Sequence, residues 1–261
     1  MSTCNPPQLK ALKASQERGA NDVITVRPNR EETTLSDNEM KFAVRQRLAC
    51  LGNILKCPEE QEACHACSAK TITSEHFASC GYNRKKRHDD VVFTHYEALE
   101  MAGVTATMER QLPNGNMKID LFYLDPSPQV ANERYVMADP TIIQAYDNNS
   151  NALPDTKKNL EKAAKVKIQK YRDAATDWRA RVQPLPYTTF GATSRYTTKW
   201  LTDVEAAAKN NAQYFPELDR KFSVVWRENI SFSIARETAK AAFEASAHHQ
   251  TLMDLAQDTL E

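Results

Sequence analysis

The chain has 261 residues, of which 41% are hydrophobic, so it can bury a core in one large domain or in one domain with appended segments. Its 34 basic and 34 acidic residues give a formal net charge of zero, so overall charge identifies no class of partner. No stretch approaches the roughly 18 consecutive apolar residues of a membrane helix, and the first residues lack the apolar core of a signal peptide, so we expect an intracellular protein, nuclear or cytoplasmic, without a membrane partner.

The first part of the chain predicts a tail followed by a helix. Residues 1–35 are polar, contain three prolines and show no sustained apolar period, which predicts a mostly disordered tail. Ser36 and Glu39 then form a capping box in front of an apolar stripe, which predicts a helix. The stripe consists of Met40, Val44, Leu48, Leu51 and Leu55. We expect residues 36–90 to form one unit, made of this helix, a cysteine-rich segment and a basic run.

The cysteine-rich segment has the spacing of a metal knuckle. Residues 64–80, CHACSAKTITSEHFASC, contain C-x2-C-x8-H-x3-C, formed by Cys64, Cys67, His76 and Cys80. In a reducing compartment such clustering favours a metal over disulfides, and three thiolates with one imidazole suit tetrahedral Zn²⁺. Because four protein ligands leave no open position, we predict a structural zinc site. The alternative is that the four residues are incidental parts of a core.

A basic run follows the knuckle. We predict that it contacts the phosphates of DNA, and it consists of Arg84, Lys85, Lys86, Arg87 and His88. A helix, DVVFTHYEALEMAG, is expected next and should end at Gly103. Residues 91–261 are predicted to form the main domain, which ends in two helical stretches at about 194–212 and 228–258.

Three strands are predicted after that helix, in GVTATMERQL, MKIDLFYL and ERYVMADPTII, with a hairpin turn at Asn114-Gly115. Asp120 lies in the second strand, and Asp139 is expected to end the third because Pro140 should stop the ladder. If these strands are neighbours, the two carboxylates can converge at one rim of the sheet and hold Mg²⁺ or Mn²⁺. Such an ion can activate a water and stabilise charge on a phosphoryl oxygen.

A long helix is predicted from Leu153, before the segment PLPYTTFGATS breaks it. Its apolar face consists of Leu160, Ala164, Ile168, Tyr171, Ala175 and Trp178. Lys167 lies about 55° from the centre of this face, so its ammonium can reach the sheet rim, and Lys170 lies further round the same flank. Nine basic and four acidic residues over 155–181 make the helix attractive to a phosphate backbone; the alternative is an ordinary solvated face.

This order of features resembles the restriction-like endonuclease domain of site-specific non-LTR retrotransposon reverse transcriptase proteins. The likeness covers roughly residues 40–245. It is carried mainly by the knuckle followed by Arg87-His88-Asp89, by Lys167-x-x-Lys170-Tyr171 and by TFG at 189–191.

The resemblance implies an α/β fold, a restriction-endonuclease-like mixed sheet flanked by helices and preceded by a zinc knuckle. It also implies a PD-(D/E)xK-type nuclease in which the lysine has moved from the second acidic strand to the following helix. By position the catalytic residues are Asp120, Asp139 and Lys167. Lys170 is grouped with them as a contact to the DNA backbone, and Tyr171 is among the nucleic-acid contacts. The implied partners are DNA and an RNA of the element.

The sequence departs from that family at two positions. Ile119 stands where proline usually precedes the first aspartate, and Pro140 follows the second aspartate where valine is usual. Three hypotheses follow. The protein is a metal-dependent DNA endonuclease, a catalytically degenerate zinc-containing nucleic-acid-binding module, or a zinc-stabilised scaffold without a nucleic-acid partner.

Overall fold

The computed structural model describes residues 6–26, 31–49, 64, 67, 76–77, 80–82, 84–112, 117–126, 134–146, 153–211 and 220–258. These residues form a four-stranded mixed sheet flanked by helices. The strands are β1 (Ala106–Gln111), β2 (Lys118–Leu124), β3 (Tyr135–Ile143) and β4 (Ala180–Thr188). The helices are α1 (Pro6–Ser15), α2 (Asp22–Thr25), α3 (Asp37–Arg47), α4 (Arg84–Met101), α5 (Thr156–Asp177), α6 (Arg195–Asn210) and α7 (Phe222–Asp258), with a 3-10 turn at Glu31–Thr33. Among them there is no helix with the length and apolar character needed to cross a bilayer.

The three predicted strands are confirmed, and they pair with one another. The order is β1-β2-β3-β4; the first two pairs are antiparallel and β3 pairs with β4 in parallel. The predicted turn at Asn114-Gly115 lies outside the described residues, but Gln111 pairs with Lys118 on either side of it. Asp120 and Asp139 therefore lie on neighbouring strands.

The prediction that Pro140 stops the ladder at Asp139 is wrong. β3 continues to Ile143, and Pro140 pairs with Leu185 of β4. The pairing of β3 with β2 ends at Ala138, so only one side of the strand is still paired at the proline. A residue without an N–H is therefore tolerated there.

β4 was not predicted, because its sequence contains PLPYT. Pro184 and Pro186 are two residues apart, so their nitrogens point to the same side of the strand. β4 is an edge strand, and proline is accepted where that side faces away from the neighbouring strand. Most of β4 is buried, so the alternation of apolar and polar residues that indicates a half-buried strand is absent.

Two clusters of buried side chains cover the sheet. The larger joins β2, β3 and β4 to α4, α6 and α7, and its members include Leu99, Leu121, Tyr187, Trp200 and Ile230. The second lies under α5 and includes Ile119, Phe122, Met137, Tyr171 and Ala174. The predicted apolar face of α5 is confirmed at Leu160, Ala164, Tyr171 and Ala175, which are buried. Both predicted C-terminal helices are present, although α7 begins earlier, at Phe222.

The helix predicted after Ser36 is confirmed as α3, together with its capping box. The Glu39 N–H donates to Ser36 Oγ at 3.4 Å, and the Ser36 N–H donates to Glu39 Oε2 at 2.8 Å. The predicted stripe is not the buried face, since Val44 and Leu48 are exposed. The buried residues are Phe42, Ala43, Gln46 and Arg47. Leu51 and Leu55 lie outside the part of the chain that the structure describes.

Residues 6–26, predicted to be mostly disordered, contain α1 and α2 and are packed on the rest of the protein. The Arg47 guanidinium donates to the carbonyl oxygens of Ala20 and Phe190, each at 2.9 Å. Asp22 pairs with Arg227 of α7 at 2.8 Å. The buried hydrophobic side chains of α1 and the following loop are alanines, and alanine produces little apolar periodicity in a sequence.

Candidate active site and metal centres

Three side chains converge at the rim of the sheet. His88 from the first turns of α4, Asp120 from β2 and Asp139 from β3 each bring one ligand atom to within 4.8 Å of the others. His88 Nε2 lies 3.2 Å from Asp120 Oδ2. The last pair of the β2/β3 ladder is Leu121 with Ala138. Asp120 and Asp139 are the next residues beyond this pair on the two antiparallel strands, and this register brings their carboxylates together. We call these three residues the carboxylate site.

Lys167 reaches the carboxylate site from α5, on the side expected from its position on the helix. Its Nζ lies 2.8 Å from Asp139 Oδ1 and 3.0 Å from Asp139 Oδ2. Thr141 Oγ1 donates a third hydrogen bond to Asp139 Oδ1 at 3.1 Å. The Asp139 side chain is only 1% exposed, so these donors fix its orientation.

The electrostatics of the carboxylate site favour a cation. Burial raises the pKa of Asp120, and the negative charge of nearby Asp139 raises it further, although hydrogen bonding to His88 opposes the shift. The hydrogen bond to Asp120 is in turn the main cause of the raised pKa of His88. A divalent ion would stabilise both ionised carboxylates. Two carboxylates suit Mg²⁺ or Mn²⁺, and the imidazole donor favours Mn²⁺ of the two.

Lys170 and Tyr171 lie beside this site, and the Tyr171 hydroxyl is hydrogen-bonded to the Asp139 side chain. Lys170 is exposed, and its Nζ donates to Tyr171 Oη at 2.7 Å. The Tyr171 hydroxyl donates to the carbonyl oxygen of Lys118 at 3.2 Å. Burial raises the pKa of Tyr171 above its ordinary value, and the Asp139 carboxylate adds to the shift. Tyr171 is 1% exposed and packs in the cluster under α5, and its role as a nucleic-acid contact stays a prediction.

The predicted basic run forms the first turn of α4, but its members have different environments. Lys85 pairs with Asp89 at 2.5 Å, and Lys86 pairs with Glu244 of α7 at 3.3 Å. These lysines and Arg84 are exposed, and they remain candidates for phosphate contacts. Arg87 is buried, and burial is the main cause of its lowered pKa. Arg87 is only 7% exposed, whereas its three neighbours are open to solvent, and its contact with DNA stays a prediction.

The second cluster is the knuckle, in which Cys64, Cys67, His76 and Cys80 bring four ligand atoms to within 4.8 Å of one another. Cys67 Sγ lies 3.3 Å from His76 Nε2. The structure thus brings together the four residues that the sequence singled out. Three sulfurs and one imidazole nitrogen are the donor set that tetrahedral Zn²⁺ prefers.

The knuckle lies in a hydrophobic environment between α3 and the second half of α7. Cys64 and Cys80 pack with Phe42 and Phe77 and with three alanines of α7: Ala239, Ala242 and Ala245. Burial is the largest cause that raises the pKa of Cys80 to about 12. Without a cation this thiol stays protonated at neutral pH, whereas a bound metal would stabilise the thiolate.

Sequence reasoning missed two contributors to the carboxylate site. His88 was predicted to contact DNA, and the structure places it against Asp120 instead. Thr141 was assigned no role from the sequence, yet it donates to Asp139. The role of Thr141 could have been inferred from its position, because it follows Asp139 by two residues and so lies on the same face of β3.

Across the described ranges, the carboxylate site and the knuckle are the two clusters whose histidine, cysteine and acidic residues could hold a metal. They lie close together in the chain, since the knuckle ends at Cys80 and α4 begins at Arg84. No protein-family model matches this sequence, and no match was found among curated proteins.

Proposed function

We propose that the protein is a metal-dependent DNA endonuclease of the restriction-like type, resembling the nuclease domains of site-specific non-LTR retrotransposons. The observation that carries the proposal is the convergence of Lys167 with Asp120 and Asp139. These residues come from α5, β2 and β3, far apart in sequence, and Lys167 Nζ lies 2.8 Å from Asp139 Oδ1. The mixed sheet with flanking helices provides the coarse architecture that such a domain requires.

In the proposed site, Asp120, Asp139 and His88 hold the divalent ion. A bound Mg²⁺ or Mn²⁺ would supply a water of lowered pKa and neutralise charge on the scissile phosphate. Thr141 and Lys167 orient the Asp139 carboxylate through their hydrogen bonds. The Lys167 ammonium also offers positive charge beside the position of the phosphate, where charge develops during hydrolysis.

Phosphate contacts are assigned to the exposed cations around this rim. Arg84, Lys85 and Lys86 lie on the turn of α4 that carries His88, and Lys170 lies one helical turn beyond Lys167. Phosphate contacts position a duplex without reading its sequence, so these residues determine affinity more than target choice.

The knuckle is proposed to bind Zn²⁺ as a structural ion. Its four donors leave no coordination position for a substrate, and its cysteines pack against α3 and α7. Its position directly before α4 suggests that it holds the helix that carries His88.

The test is nicking of supercoiled plasmid DNA in Mg²⁺ and in Mn²⁺. We expect the wild type to nick and Asp139→Asn to lose at least about a hundredfold in rate, because it removes a charged ligand. Lys167→Met should lose a similar factor. Asp173→Asn is the matched control, because Asp173 is an exposed carboxylate on the same helix as Lys167, and it should cleave like the wild type.

Equal nicking by the wild type and Asp139→Asn would show that a contaminant or another site cuts the DNA. If the wild type does not nick but retains DNA in a salt-dependent way, the catalytically degenerate binding module is the better description.

A further inference from the structure

Four side chains from β1, β2, β3 and the end of α5 stack on the sheet, and we call them the aromatic platform: Arg110, Phe122, Tyr135 and Trp178. The guanidinium carbon of Arg110 lies 4.5 Å from the Phe122 ring centroid and 4.6 Å from the Trp178 ring centroid. Phe122 also stacks on Tyr135 at 5.0 Å and meets Trp178 edge to face at 5.4 Å. Phe122 is buried and the other three are half-buried, so the platform is partly open to solvent.

Arg110 lies over two rings whose planes are inclined at 76° to each other. Within the described residues its guanidinium makes no ion pair and no hydrogen bond. Arg181 and Arg227, by contrast, each pair with an aspartate. A guanidinium fixed in this way can stack on a nucleobase and donate to a phosphate at the same time.

The aromatic platform adjoins the carboxylate site. Arg110 is the β1 partner of Ile119, the residue before Asp120. Phe122 follows Asp120 by two residues, which is about 7 Å along a strand. Since neighbouring nucleotides of one strand are about 3.4 Å apart, the platform is about two nucleotide steps from the carboxylates.

Two exposed lysines, Lys118 and Lys170, lie beside the carboxylate site. Lys170 contacts the Tyr171 hydroxyl, and that hydroxyl contacts the Lys118 carbonyl, so both lysines belong to one region. Lys118 is exposed and is also 3.5 Å from Glu109. Both lysines can contact the phosphates of a strand that is bound at the carboxylate site.

We propose that the aromatic platform binds an unpaired nucleobase of a DNA strand, with Arg110 between that base and the rings of Phe122 and Trp178. The proposal rests on the proposed nuclease function of the adjoining site. It gives that site a substrate class: DNA with unpaired nucleotides beside the scissile phosphate is preferred to a fully paired duplex.

Binding tests this proposal without catalysis. Zinc-loaded protein, with no Mg²⁺ or Mn²⁺ added, is titrated with a fluorescently labelled single-stranded oligonucleotide and with the matching blunt duplex. We expect Arg110→Ala to lose about tenfold in single-strand affinity, the order observed when one stacked base is lost, with little change for the duplex. Arg110→Lys should lose most of the same factor, because it keeps the charge but not the planar group.

Arg195→Ala is the matched control. Arg195 also lies over a ring, at 5.0 Å from the Tyr196 centroid, but it is paired with Glu161 and belongs to α6. It should bind both DNAs like the wild type.

Intrinsic fluorescence gives a second readout, since Trp200 and Trp226 are buried and Trp178 is half-buried. Single-stranded DNA should quench the fluorescence, and Trp178→Phe should remove that quenching. Circular dichroism establishes that each variant is folded.

Several outcomes would overturn the proposal. One is that Arg110→Ala weakens single-strand and duplex binding equally, which describes a phosphate contact. Another is that Arg110→Lys binds like the wild type. A third is that single-stranded RNA binds more tightly than DNA, which makes DNA the wrong occupant. The two proposals can fail separately. If the protein does not nick plasmid DNA but still prefers single strands in a way that depends on Arg110, the nuclease proposal is refuted and the platform proposal stands.

Discussion

At the scale of single residues, the burial of His95 makes the stability of the protein depend on pH. It is fully buried on α4, with Nδ1 2.7 Å from the Val91 carbonyl oxygen and Nε2 2.8 Å from the Tyr187 hydroxyl. The neutral ring satisfies both contacts when Nδ1–H donates to Val91 and Nε2 accepts from Tyr187. Burial is the main cause that lowers the pKa of His95 to about 4.

This lowered pKa predicts acid sensitivity. Between the ordinary pKa of 6.5 and the folded value of about 4, the unfolded chain binds a proton that the folded protein does not. The free energy of unfolding should therefore fall as the pH falls through this window, by about 3 kcal/mol in total. Urea unfolding at several pH values measures it. His95→Gln should lose this component, and parallel pH curves for the two proteins would contradict the prediction.

Part of the carboxylate site could be predicted residue by residue. Asp120 and Asp139 stood out because they interrupt apolar strands, and Lys167 because it lies next to the apolar face of a helix. His88 could not be placed in this way. Its position depends on how the first turn of α4 packs against the sheet, and a single sequence carries no signal for that packing.

At the scale of elements, the knuckle contacts α7, so a metal bound there would be coupled to the packing of the helices. The ring centroids of Phe77 and His249 are 5.9 Å apart, and those of the stacked Tyr82 and His248 are 4.6 Å apart. Residues in and next to the knuckle therefore contact the second half of α7. The metal-binding free energy should therefore appear in the stability of the helices as well.

Chelation of the metal from purified protein should lower the melting temperature, and added Zn²⁺ should restore it. Cys80→Ser should reproduce the loss, because it removes one of four ligands. The Co²⁺-substituted protein should show the visible absorption of a tetrahedral thiolate site, which Cys80→Ser should weaken. Cys4→Ser, in the N-terminal segment, is the control. If chelation leaves the melting temperature unchanged, the knuckle is not a structural metal site.

At the scale of the whole molecule, the N-terminal segment ties distant elements together. Arg47 joins the α1–α2 region to the loop after β4 through the carbonyls of Ala20 and Phe190. Arg236 of α7 donates to the carbonyl oxygen of Thr34 at 2.8 Å. Burial lowers the pKa of Arg47 to about 10, so the charged guanidinium is disfavoured there unless the surrounding carbonyl oxygens accept its hydrogen bonds.

Deletion of residues 1–35 should therefore cost about 2 kcal/mol or more of unfolding free energy, because it leaves buried Arg47 without the Ala20 carbonyl. Deletion of residues 1–5 alone is the control and should change little. Urea unfolding compares the two. If both deletions leave stability unchanged, the segment is the dispensable tail that its composition suggested.

The predictability of the fold follows from how each element is buried. Strands with alternating residues and helices with wide apolar faces, such as β2 and α5, could be predicted. β4 could not, because it is buried along most of its length and its two prolines normally indicate a break. α1 could not, because its buried hydrophobic side chains are alanines and they pack with residues far along the chain.

The two outer strands of the sheet bear on self-association. Exposed strand edges are templates on which other chains can add strands and aggregate. On β4, Pro184 and Pro186 supply no N–H to an incoming strand. On β1, Glu109 has a φ of 50° and carries a charge, which interrupts the regular ladder. Both edges are thus poor templates, so copies of this chain should not join through their sheets at high protein concentration.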